Sequence, residues 1–256
     1  MRVALLQTDI AWAEPRRNVA HADKLIDGLP PVDLIVLPEM WTTGFATQPD
    51  GIAETADSDS LRWMQRKAAE RGAALCGSIA VCDEGRYTNR FYFVGPDGEV
   101  TFYDKHHLFT YGGEHLRYSA GERRVTVSYL GVRIRLLVCY DLRFPCWSRN
   151  RDEYDVAIYV ASWPSSRVEA WDVLLRARAI ENQCYVIGVN RVGQDPQCAY
   201  CGSSALIDPY GRVAATCGRD EERAVVADID MQRLSAFRAK FPVLLDADPD
   251  VSMSEK

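Results

Sequence analysis

The chain has 256 residues, 47% of them hydrophobic and 26% charged, the balance of a soluble globular protein long enough to bury a sizeable core. Its formal net charge of -6, with no long basic run, leaves no electrostatic footprint for nucleic acid or an anionic membrane surface and favours a small-molecule partner. No stretch reaches the roughly 20 apolar residues of a membrane-spanning helix, and the opening apolar run is too short for a signal-peptide core, so a cytoplasmic location follows by elimination.

In chain order, runs rich in Val, Ile and Leu predict strands at 2–8, 33–37, 73–81, 90–95, 125–129, 132–138, 156–160, 185–190, 204–208 and 222–229. Helical spacing appears between them at 15–28 after Pro15, at 58–71 around Leu61, Met64 and Ala68, and at 168–182 around Trp171, Leu175 and Ala179. Alternating β and α elements predict helices laid over sheet faces. The pairs 90–95/99–104 and 204–208/211–216 are joined by Pro-Asp-Gly and Pro-Tyr-Gly turns, which predict antiparallel hairpins and therefore mixed sheets. After Phe241-Pro242 the chain becomes polar and acidic, and residues 246–256 read as a mobile tail or one that drapes over a neighbour.

The eight cysteines of a chain this size read as free thiols. Cys198 and Cys201 form a lone CxxC without a second pair or nearby histidines, which argues against structural zinc and reads as incidental.

Three strands end in polar or reactive residues: Leu34 to Pro38 runs into Glu39, Arg135 to Val138 into Cys139, and Val156 to Ala161 into Ser162-Trp163. Ligands of α/β sheets sit beyond the carboxyl ends of strands, so these ends are expected to converge on one pocket. Cys139 precedes Tyr140-Asp141-Leu142-Arg143-Phe144-Pro145, a strand-turn-helix in which a sharp turn would present the thiol and aim the Tyr140 N–H at an acyl oxygen. Taken alone, Cys139 reads as a buried core cysteine. Glu39 enters an otherwise apolar setting, which suits general acid-base work, although a solvated strand end would account for it too. Lys105, in Tyr103-Asp-Lys-His-His-Leu-Phe109, reads alone as a surface lysine; beside a thiolate it would stabilise a developing oxyanion.

Together, Pro38-Glu39-Met40-Trp41, the Lys105 segment and Val138-Cys139-Tyr-Asp-Leu-Arg143-Phe-Pro145, in this order and spacing, resemble the nitrilase superfamily of carbon-nitrogen hydrolases, and the resemblance runs to about Asp230. It implies an α/β fold, a four-layer α-β-β-α sandwich of mixed sheets over residues 1–245, with Glu39, Lys105 and Cys139 as catalytic triad. It implies a supporting role for Glu114, positioning Lys105 or the amide nitrogen, and it brings neither metal nor organic cofactor. It also implies a homodimer or higher homo-oligomer. Lys105-His-His-Leu-Phe109 with Gly113-Glu114, and Ala161-Ser162-Trp163-Pro164, look most like bacterial omega-amidases, with Ser162 standing where Asn is expected.

The expected activity is hydrolysis of a small amide, the omega-amide of 2-oxoglutaramate or 2-oxosuccinamate, through a Cys139 thioester. Arg143 is a candidate for the substrate carboxylate, its alternative being a structural tie to Asp141 or Glu39. Trp41, Phe45, Tyr111, Tyr118 and Trp163 are candidates for an apolar wall, of which Trp163 is carried as a substrate contact. Competing readings are an N-carbamoyl amino acid, aliphatic amide or nitrile hydrolase on the same triad, an idle binding protein on the same scaffold, and a redox protein using Cys198 and Cys201.

Overall fold

The computed structural model describes residues 1–247, so most of the tail expected at 246–256 lies outside the described residues. The first half runs β1 (Arg2–Gln7), α1 (Pro15–Asp27), β2 (Leu34–Val36), β3 (Glu54–Thr55), α2 (Asp59–Arg71), β4 (Ala74–Asp83), β5 (Arg86–Val94) and β6 (Val100–Asp104). The second half runs β7 (Thr126–Tyr129), β8 (Val132–Val138), α3 (Pro145–Ser148), β9 (Val156–Ala161), α4 (Val168–Glu181), β10 (Tyr185–Asn190), β11 (Val192–Gln194), β12 (Ala199–Ile207), β13 (Val213–Arg219), β14 (Arg223–Asp228) and α5 (Met231–Lys240).

Two seven-stranded sheets result, one ordered β14-β1-β2-β4-β5-β6 with β3 on β4, the other β11-β12-β10-β9-β8-β7 with β13 on β12. Both are mixed: β1 lies parallel to β2 while β4, β5 and β6 run antiparallel, and β8, β9 and β10 are parallel while β12 returns antiparallel. The two expected hairpins are β5–β6 and β12–β13.

The strands read as unbroken apolar runs because both of their faces are buried. Ala4, Leu6, Ile35 and Leu75 pack with Ala22 and Ile26 of α1 and Leu61, Met64 and Ala68 of α2. The alternate residues Val3, Leu5, Leu34 and Val36 join a cluster that includes Leu136, Val138 and Ile187 of the other sheet and Trp171, Leu175 and Ala179 of α4. The layers are therefore helix, sheet, sheet, helix. α4 lies so close to β10 that a Cβ on Gly188 would meet Leu175 Cδ1 at 2.5 Å and Trp171 Cζ2 at 2.8 Å, which restricts the position to glycine.

Two helices start where local chemistry says they should. α1 opens on Pro15, which gives up an N–H that had no internal acceptor there, and α2 opens after Ser58, whose Oγ accepts from Leu61 N at 3.2 Å. Among the described residues no helix is long and apolar enough to cross a membrane.

Candidate active site

The apolar run of β8 carries the chain to Val138, where it turns sharply. Cys139 has φ of 41°, in the left-handed region that a non-glycine residue adopts only under constraint, and begins a 3-10 turn over Cys139–Arg143 that leads through Phe144 into α3. The constraint is Asp141, buried beneath the turn. Its Oδ2 accepts from Val138 N at 3.0 Å and from the Tyr103 hydroxyl at 2.7 Å, while Oδ1 accepts from His107 N at 3.0 Å and faces His107 Nδ1 at 2.9 Å. The His107 ring stacks on Phe144 at 3.8 Å and His106 on Trp147 at 3.6 Å, so the segment before the site is clamped onto the turn by side chains as well.

Glu39 follows β2 in one sheet, Lys105 follows β6, and both are fully buried together with Glu114. Lys105 Nζ donates to Glu39 Oε1 at 2.9 Å and to Glu114 Oε2 and Oε1 at 2.9 and 3.1 Å. Burial opposes the Lys105 charge, yet the Glu114 and Glu39 carboxylates outweigh it and hold the ammonium above its ordinary range. Glu114 is pushed above the ordinary carboxyl value by burial and by Glu39, against the pull of Lys105. Its Oε2 also accepts from Phe109 N at 2.6 Å. Glu114 therefore bonds to Lys105, the first of the two roles expected for it.

Asn89 of β5, which the sequence offered no reason to select, sits between the two acids. Its Nδ2 donates to Glu39 Oε1 at 2.7 Å and to Glu114 Oε1 at 3.3 Å. From the opposite sheet, Ser162 N donates to Glu39 Oε2 at 2.8 Å and Ser162 Oγ to the Glu39 carbonyl at 3.2 Å. The strand ends at Glu39, Cys139 and Ser162 do converge. Burial pushes the Cys139 thiol well above its ordinary value, the Glu39 carboxylate adds to this, and Lys105 offsets it only in part.

Cys139 lines a cavity of about 50 Å³ walled by Phe45, Phe109, Tyr140, Trp163 and Tyr200. Of the five aromatic wall candidates, Phe45 and Trp163 are present. Trp41 instead packs against Trp63 at 5.3 Å in the outer core, the Tyr118 hydroxyl donates to the Ala46 carbonyl at 2.6 Å, and Tyr111 is 86% exposed. These three do not line the cavity.

Arg143 lines the cavity with its guanidinium 4.8 Å from the Trp163 ring centroid. It makes no ion pair or hydrogen bond with Asp141 or Glu39, whose partners are those named above, and the structural tie considered for it is absent. Arg167 is a second cation in the wall, and among the described residues no acidic side chain lines the cavity. Cys198 lines it too. The CxxC read as incidental is thus in part a wall of the cavity, although all eight cysteines are free.

Residues 2–239 match the family model described as carbon-nitrogen hydrolase. The chain is 46% identical over 249 residues to the omega-amidase YafV of Escherichia coli strain K12, covering 97% of each. It is 37% identical over 255 residues to a 2-oxoglutaramate amidase of Bacillus subtilis strain 168, covering 97% of this chain and 98% of the other. Its fold superposes with a TM-score of 0.96 on a crystal structure of a CN-hydrolase superfamily protein from Xanthomonas campestris, which is 42% identical, covers 98% of each chain and carries an arsenic adduct in its active site.

Proposed function

The chain belongs to the carbon-nitrogen hydrolase family, as an enzyme of its cysteine-dependent amidase kind, and from that premise we propose that it hydrolyses the omega-amide of a 2-oxo acid, 2-oxoglutaramate or 2-oxosuccinamate, to the carboxylate and ammonia. The observation that carries this reading is Arg143, a guanidinium without an acid partner among the described residues, in the wall of a cavity that it shares with Cys139 and five aromatic rings. A guanidinium binds a carboxylate through two parallel N–H donors, and a 2-oxo acid amide supplies that carboxylate at the end remote from its amide.

In the cycle, Glu39 takes the proton of the Cys139 thiol as sulfur attacks the amide carbon, and the tetrahedral oxyanion is held by Lys105 and the Tyr140 N–H. Tyr140 lies in the first turn of a helical segment, where an N–H has no internal acceptor and is free for such a bond. Each such donor is worth about 3 kcal/mol of transition-state stabilisation. The raised thiol fits this order of events: the proton leaves in concert with attack, to a base already in place, rather than beforehand. Protonated Glu39 then delivers the proton to the leaving ammonia, and a water activated by Glu39 hydrolyses the thioester. Glu114 and Asn89 keep Lys105 and Glu39 in position throughout.

The test is ammonia release from 2-oxoglutaramate and 2-oxosuccinamate, with glutamine, an N-carbamoyl amino acid, a simple aliphatic amide and a nitrile as comparators, for the wild type and Cys139→Ala. We expect preference for the oxo-amides and loss of turnover in the variant. Preference for the neutral amide or the nitrile would leave Arg143 without a purpose and overturn the substrate assignment; undiminished turnover by Cys139→Ala would overturn the mechanism.

We further propose that the protein is a homodimer. Val173 and Ile180, seven residues apart on the outer face of α4, are 63% and 55% exposed, and Phe241 and Leu245 beyond α5 are exposed as well. Light scattering after gel filtration should give twice the 28.8 kDa chain mass, and a monomer at micromolar concentration would refute the assignment.

A further inference from the structure

The proposed cycle leaves one charged group of the cavity without work. Arg167 ends a 3-10 turn over Ser165–Arg167 and lines the same cavity as Cys139 and Arg143. Its guanidinium stands 5.4 Å from the Phe109 ring centroid and 6.0 Å from that of Tyr111, and its side chain has no hydrogen bond or ion pair among the described residues. Contact with a ring engages the flat face of a guanidinium, so the N–H groups along its edge stay available.

Arg90, Arg133, Arg219 and Arg238 each reach a carboxylate at 2.8 Å or less. Arg143 and Arg167 reach none among the described residues, and they share one cavity.

Trp163 ties the two together. Its ring lies under the Arg143 guanidinium at 4.8 Å, and its Nε1–H donates to the Arg167 carbonyl at 2.8 Å, so one buried side chain sets the position of both. Phe109 ties Arg167 to the reacting side of the cavity. Its ring centroid is 5.1 Å from that of Tyr140, and its N–H donates to Glu114.

Resting on the reading above, in which the substrate carries a carboxylate remote from its amide, we propose that Arg167 is the second arm of a carboxylate clamp with Arg143, one that selects omega-monoamides of dicarboxylic acids over neutral amides. Two guanidiniums facing an aromatic-walled cavity raise the affinity for an anion through short charge-assisted hydrogen bonds, whereas a neutral amide gains nothing from them and leaves them unpaired.

The experiment compares 2-oxoglutaramate, glutaramate and pentanamide, the last two matched in chain length and differing in the carboxylate, for the wild type, Arg167→Met and Arg167→Lys. Arg167→Met is expected to raise KM for both anionic substrates about tenfold or more, acting on KM more than on kcat, and to lower the glutaramate-to-pentanamide ratio of kcat/KM by a similar factor. Arg167→Lys keeps the charge without the fork and should recover only part of the loss. An unchanged ratio in Arg167→Met would overturn the clamp. Full recovery by lysine would overturn it in favour of a steering charge. A second readout needs no turnover: the glutarate concentration that half-protects Cys139 from iodoacetamide should rise about tenfold in Arg167→Met. If the wild type itself prefers pentanamide, the proposed function fails, while loss of glutarate protection in the variant would still support an anion-binding role for Arg167.

Discussion

At the scale of single residues, the site depends on how two buried acids and Lys105 are kept together. Besides Lys105, Asn89 is the only side chain that donates to both buried acids among the described residues, and removing its amide leaves Glu39 and Glu114 each short of a donor and repelling one another across Lys105. Asn89→Leu is therefore expected to cost about 1 to 3 kcal/mol of stability in urea unfolding and to lower kcat about 10²-fold, because a misplaced Glu39 no longer lies along the path of the thiol proton. A variant of wild-type kcat would show that Lys105 alone holds the acids. Glu114 gives the site a pH dependence. Its carboxyl is raised above 4.5, so it takes up a proton at a higher pH than an ordinary glutamate and then loses charge where Lys105 and Phe109 N need an acceptor. Activity should fall on the acid side along a limb that lies above pH 4.5, and in Glu114→Gln that limb should move to lower pH while kcat drops. A kcat/KM profile whose limb stays put in the variant would assign it to another group. Glu39, Lys105, Cys139 and Glu114 were legible in the sequence because each stands in a recognisable motif. Asn89 and Arg167 were not, since a lone asparagine inside a strand and an arginine after two serines acquire meaning only from what the fold sets opposite them.

At the scale of elements, what matters is the turn that ends β8. A left-handed Cys139 is costly, on the order of 1 to 3 kcal/mol, and it persists because Asp141 is bonded from Val138, Tyr103 and His107 at once. Asp141→Ala removes the acceptor for all of them. We expect a loss of at least about 3 kcal/mol in urea unfolding, together with slower alkylation of Cys139 by iodoacetamide as the turn relaxes. Loss of stability with unchanged Cys139 reactivity would show that the turn keeps its shape without the anchor. Elements such as β1, β4, β8, β9 and β10 were legible because burial on both faces writes them as apolar runs, and α1 and α2 because proline or serine marks their starts. β3, with two residues, and β11, with Val-Gly-Gln, carry too few apolar side chains to register. α5 escaped notice because Leu234 is its only buried residue, so it has no apolar stripe; the signal that existed was Asp230, whose side chain caps Arg233 N at 2.9 Å. β12 begins at Ala199, five residues before the expected start, because irregular pairing around Gly202 and Ser204 breaks the alternation by which a strand is read.

At the scale of the whole molecule, the site exists only where the two sheets meet. Glu39 belongs to the first sheet, Cys139 and Ser162 to the second, and the Ser162 N–H to Glu39 bond of 2.8 Å crosses between them. The sheets are stitched at the end of β1 as well. Gln7 accepts from Ser204 N at 2.9 Å and donates to the carbonyls of Gly218 and Glu221 at 3.1 and 2.8 Å, while Arg191 donates to Asp9 Oδ1 and to the Ile10 carbonyl, both at 3.0 Å. Slip of one sheet against the other would break these bonds and the alignment of Glu39 with Cys139 together, so the fold should unfold as one unit rather than sheet by sheet. Two buried cysteines report on this separately: Cys76 in β4 of the first sheet and Cys184 just before β10 of the second, both fully buried and both with thiols raised by burial. Labelling with iodoacetamide along a urea titration, read by mass spectrometry, should give the same midpoint for Cys76 and Cys184, coincident with loss of the helical circular dichroism signal. Gln7→Ala should move both midpoints down together, by an amount corresponding to about 1 to 3 kcal/mol, because it strands the buried Ser204 N–H of the second sheet and removes the bonds from β1 to the Gly218 and Glu221 carbonyls. If Cys184 were exposed at a lower urea concentration than Cys76, the second sheet would open on its own, and the bonds at Gln7, Arg191 and Ser162 would be consequences of packing rather than what couples the sheets.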